Sequence, residues 1–145
     1  MSRQADFQFE AGVDGVYRAP ASTAAWRARA ESQGLAWCAL DLDGVATKQA
    51  FLDCCAKALQ FPATFGGNWD ALADCLEDLS WQPAGGVVVH WRSGGTFARQ
   101  PAEFRTALEI FGAAALFWKA QQRVFIVLMD SGSHDGTVTA FPPHR

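Results

Sequence analysis

Three apolar runs of strand length limit what this chain can fold into. They span residues 35–42, 86–91 (with Val87-Val88-Val89 at the centre) and 123–129. Runs this short, apolar on both sides rather than alternating, read as strands covered on both faces, as in a parallel sheet. Helical periods separate them. Thr47 is placed to cap a helix over 48–60, whose core face is Phe51, Leu52, Cys55 and Leu59. Pro101 opens a second, along which Phe104, Leu108, Phe111, Ala115 and Trp118 recur at helical spacing. Strands alternating with helices predict an α/β fold: a small parallel sheet with right-handed crossovers and helices packed on it. Three strands are expected, or four if residues 15–18 join them.

The rest of the chain arranges itself around that frame. Half of its 145 residues are hydrophobic, enough for one domain with a single sizeable core. Residues 1–14 hold no period and read as a loose or lightly docked arm. Ser22 or Thr23 can cap a helix running through Gln33, with Gly34 as its stop. Residues 1–34 are therefore expected as an extension, a short strand plus a helix, docked on a core of 35–130. Residues 92–100 read as a polar loop. Residues 131–145, rich in Ser, Gly and Pro, read as a flexible tail.

The functional signal lies in residues 61–79. Pro62 ends the preceding helix, Gly66-Gly67 makes a turn that another molecule can approach closely, and Asn68 is a good N-cap for a short helix. On a helical wheel, Asp70, Asp74, Glu77 and Asp78 fall in a narrow arc, opposite Leu72, Leu76 and Leu79. Like charges four residues apart cost about 0.2–0.5 kcal/mol per pair, so stability alone does not favour this face. No Lys or Arg occurs between Lys57 and Arg92 to neutralise it. The pattern points to a surface for a cationic partner.

Other chemistry finds little support. The formal net charge of −3 comes without a basic cluster, which disfavours nucleic-acid binding. No apolar run follows Arg3 as a secretory leader would need, and none approaches the ~20 residues of a membrane span. Cys38, Cys54, Cys55 and Cys75 lack metal-site spacing and read as small core residues in a reducing cytoplasm. His134 and His144 fall in the expected tail, and His90 at a strand end reads as structural. There is no phosphate loop, dinucleotide fingerprint or nucleophile elbow. Carboxylates right after Gly66-Gly67-Asn68 would repel an anion at that helix start. Asp70, Asp74 and Asp78 at i,i+4 spacing wrap an oxygen-seeking cation poorly. No catalytic residue, cofactor or metal is expected.

The stretch Phe61-Pro62…Phe65-Gly66-Gly67-Asn68-Trp69-Asp70-Ala71-Leu72…Asp74-Cys75-Leu76 resembles the barstar family of ribonuclease inhibitors, and the order of elements over 35–130 matches that family. The resemblance implies a three-layer α/β fold and a monomeric cytoplasmic protein that plugs the active site of a small basic ribonuclease or related toxin. By position it implies that Asp74 enters the enzyme's phosphate-binding site and that Asp70 is a second acid. Gly66, Asn68, Trp69, Glu77 and Asp78 fall where the family's loop and helix touch the enzyme, with Gly67 in the same turn. Thr64 and Ala73 stand where the best-known member has an aromatic contact and a tryptophan. Gly112-Ala113-Ala114-Ala115 stands where that member supplies a further acid. The implied interface thus lacks some stacking and one charge. A module of the same scaffold that engages a different basic protein is the alternative.

Overall fold

The three apolar runs become the middle of one sheet. In the computed structural model of the chain, which describes residues 8–10, 12–130 and 138–143, they form β2 (Ala36–Asp41), β3 (Gly86–Arg92) and β4 (Val124–Met129). β2 pairs with β3 and β3 with β4, all in parallel. Two short strands lengthen the sheet: β1 (Gly15–Arg18) lies beside β4, and β5 (Thr139–Ala140) lies beyond β1. The order β2-β3-β4-β1-β5 gives five parallel strands where the sequence pointed to three or four. The fifth was hidden because its two residues are both exposed and carry no apolar signal.

Alternation along the strands divides the core in two. Cys38, Leu40, Val87, Val89, Trp91, Phe125, Val127 and Met129 point to one face. That face is covered by α2 (Lys48–Leu59), α3 (Trp69–Asp78), α4 (Gly95–Ala98) and α5 (Pro101–Ala120). Val88, Ile126 and Leu128 point to the other, which is covered by α1 (Ala24–Ser32) through Trp26 and Ala30. The result is helix, sheet, helix. At the start of β3, Gly86 is required: a Cβ there would sit 2.0 Å from the Val124 carbonyl oxygen, at a φ of +126°.

Several segments depart from the sequence reading. Residues 138–143 of the expected tail are bound in place. Phe141 donates its N–H to the Arg18 carbonyl at 2.9 Å, and its buried ring meets Phe9, Tyr17 and Trp26 at 5.6, 5.4 and 5.0 Å. Phe9, in the expected arm, is likewise buried. Its backbone N–H and carbonyl bond the Gln33 side chain at 3.0 and 2.7 Å. The rest of that tail (131–137, with His134, and 144–145, with His144) and residues 1–7 and 11 of the arm lie outside the described residues. The expected polar loop at 92–100 contains α4, because Phe97 is fully buried and stacks on Phe51 at 4.4 Å. No helix among the described residues is long and apolar enough to cross a membrane.

One carboxyl is placed at a cost. Just before β1, both oxygens of Asp14 are buried without a well-formed hydrogen bond. Burial raises its pKa from 3.8 to about 7, opposed only in part by the Phe125 backbone and the Lys119 charge. The folded protein holds this proton over a range in which the unfolded chain has lost it. The associated stability is full below pH 3.8 and is lost as pH rises to about 7. Thermal midpoints measured from pH 4 upward should therefore carry a falling component that levels off near neutrality. Asp14→Asn should flatten the profile and raise the midpoint at pH 8. An unchanged slope in the variant would assign the pH dependence to another group.

Candidate functional site

Local sequence sets where α3 begins and ends. Gly67 turns the chain at a φ of +70°, and the Asn68 side chain accepts the Ala71 N–H at 2.7 Å. At the other end, Leu79 adopts a left-handed φ of 44° and donates its N–H to the Cys75 carbonyl at 3.0 Å. Leu72, Leu76 and Leu79 are fully buried beneath the helix. The Trp118 indole N–H of α5 donates to the Leu76 carbonyl at 2.7 Å, so α3 is both packed and bonded to its neighbour. The flanking chain is tied as well. Trp81 Nε1 and Gln82 Nε2 donate to the Leu59 carbonyl at 2.8 and 2.9 Å, joining the end of α2 to the loop after α3.

The outer side of this fixed helix carries the acid. Asp70, Asp74 and Asp78 are exposed, each about one turn, roughly 6 Å, from the next. Glu77 and Ala73 lie on the flank and are half-buried, so Glu77 is less open than its place on the wheel suggested. Thr64, Gly66 and Asn68 are exposed in the preceding loop, whereas Gly67 and Trp69 are half-buried. The ten candidate residues thus form one loop-and-helix surface with the three aspartates foremost. No Lys, Arg or His among the described residues forms an ion pair with Asp70, Asp74, Glu77 or Asp78.

One cation does come near. Lys48 at the start of α2 places its ammonium 5.5 Å from the centre of the Trp69 ring. The gap in Lys and Arg along the sequence gave no hint of it, because the fold brings Lys48 back to the amino end of α3. It lies near the Trp69 ring there and forms no ion pair with the carboxylates. The field of the acids is felt at Cys75, whose thiol pKa is raised first by burial and then by Asp78 and Asp74. Cys38, Cys54 and Cys55 are also raised, chiefly by burial, Cys38 to about 11. All four thiols are free and held away from the reactive thiolate form. Among the described residues, no group of three or more His, Cys, Asp or Glu side chains is arranged to hold a metal ion. Fixed, exposed carboxylates of this kind can accept charge-assisted hydrogen bonds from cations.

Features that no local pattern announced lie around α3. The Trp118 bond, the double tie on Leu59 and the approach of Lys48 all join segments distant in sequence. Beside Trp118, Leu116 and Phe117 are the large apolar side chains that α5 leaves exposed.

Comparison with known families gives a match. The model of a family described as Barstar (barnase inhibitor) matches residues 35–130, a span that holds β2 to β4 and α2 to α5 and so includes the whole acidic surface. No curated protein matches the chain.

The anchoring of α3 is testable apart from function. Trp118→Phe keeps an aromatic side chain but shortens the buried ring and removes the donor to Leu76, and it should cost about 2–4 kcal/mol in urea unfolding. It should also speed amide exchange in α3 more than in β3 and β4. Gly67→Ala should cost about 1 kcal/mol because of its positive φ. Gly66→Ala, whose added Cβ would meet its neighbours at an ordinary 3.6 Å, should be nearly neutral.

Proposed function

The chain belongs to the barstar family, and on that premise we propose that it is an intracellular, monomeric inhibitor of a small basic ribonuclease, seated in the enzyme's active site by α3 and the loop at 64–68. The observation that carries this reading is the stripe of Asp70, Asp74 and Asp78, exposed and unpaired on a helix held rigid from beneath.

The physical reasoning is electrostatic. A ribonuclease site holds phosphate with cations, and carboxylates at one-turn spacing present a comparable row of negative charge. Asp74, in the middle, is the acid for the phosphate pocket, with Asp70 beside the loop and Asp78 towards the rim. A helix that is already ordered loses little entropy when it docks. The concentrated acid draws a basic partner in faster than neutral surfaces would meet, and salt screens that attraction beyond a Debye length of about 10 Å at 0.1 M.

The test is titration against a panel of small basic ribonucleases at two salt concentrations, following residual RNA cleavage and association rate. Asp74→Ala should weaken inhibition by roughly 2–5 kcal/mol, a range that measurements on this family's own complexes helped to set. Asp78→Ala should mainly slow association, and more so at low salt. Unchanged inhibition in both variants would remove α3 from the interface. If no ribonuclease responded while another basic protein bound α3, the ribonuclease assignment would fall.

A further inference from the structure

The far side of the sheet holds a crevice that the acidic helix does not use. β1 leaves the sheet towards α1 on one face, whereas β2 and β3 lead to helices on the other. The crevice opens at the carboxyl ends of β3 and β4, beside the start of α1. Here the opening is about 420 Å³, within the roughly 300–1,000 Å³ of small-molecule sites. Its floor is the α1 side of β2 and β3, where Ala39 sits in register with His90. α1 covers this face through Trp26 and Ala30 and leaves Ala39 exposed in mid-strand.

The lining is cationic. Arg27 from α1 and Arg92 from the end of β3 stand exposed at the rim. Arg27 has one partner, Glu31, at 3.5 Å, with both side chains more than half exposed, and such a pair is weak beside an Arg–phosphate fork. The one acid in the lining, Asp130, is engaged by the buried His90 at 2.7 Å. Thr23 and Ala24 place the start of α1 on the crevice. Thr23 caps no backbone N–H with its side chain, and the first turn of α1 carries no acid, so its amides add positive potential there. Trp37 forms an aromatic wall, half-buried, its ring centre 5.5 Å from that of His90.

We propose that this crevice binds a small organic phosphate bearing an aromatic ring, a mononucleotide, with Arg27, Arg92 and the start of α1 on the phosphate and Trp37 against the base. Stacking on an indole tolerates any base, so the site selects for phosphate plus ring rather than for one nucleobase. The proposal does not depend on α3 or on what α3 binds.

The full-length protein is titrated by calorimetry with adenosine 5′-monophosphate, adenosine and inorganic phosphate, while the indole N–H resonance of Trp37 is followed. The monophosphate should bind saturably and shift that resonance, with adenosine and inorganic phosphate each at least tenfold weaker. The double substitution Arg27→Ala and Arg92→Ala, at exposed positions that leave the core intact, should weaken the monophosphate at least tenfold. Asp74→Ala should leave it unchanged. Absence of saturable binding, equal binding in the double variant, or inorganic phosphate binding as tightly as the monophosphate would each overturn the proposal.

Discussion

Like charges on one short helix oppose its formation, and in α3 the compensation comes from beneath. Leu72, Leu76 and Leu79 are fully buried, at roughly 1.5–3 kcal/mol each, which outweighs the few tenths of a kcal/mol lost per aspartate pair. The indole of Trp118 then fixes the helix in position. Without this underside the outer carboxylates would have no reason to share a direction. With it, their repulsion persists as a concentrated surface potential instead of dispersing the chain.

That arrangement explains why the acidic face of α3 is more legible in the sequence than its support. Helical spacing alone places Asp70, Asp74 and Asp78 opposite the leucines, and Asn68 caps where its side chain and position say it should. Spacing does not say how deeply a flank is sunk, so the half-burial of Glu77 had to come from packing. Nor could it bring Lys48 to Trp69, a contact between two helices. The crevice across the sheet is assembled from Thr23, Arg27, Trp37, His90, Arg92 and Asp130, which share no local pattern.

The fold divides along the same line. β3 and β4 are buried on both faces, and their sequences carry the mark of it as unbroken apolar runs, whereas β2, at the sheet edge, has the same apolar run but leaves Ala39 and Asp41 exposed on the α1 side. Phe9, Phe97 and Phe141 are single aromatic residues among polar or small neighbours, with no period to betray them. Their burial follows from shape: each fills a gap left by the sheet and its helices. The aspartates of α3 lie outside one helical layer, and Arg27 and Arg92 lie beside the other.

The insertion of β1 between β4 and β5 has a consequence for how the protein is made. A nascent chain emerges amino end first, yet residues 15–18 find their neighbours only at 126–129 and 139–140. β1 is therefore made more than a hundred residues before the strands it pairs with, and contacts across such separations are slow to close. Until then β1 offers bare peptide groups to any passing strand. A ribosome that stalls between β3 and β4 would leave β1 with no strand to join.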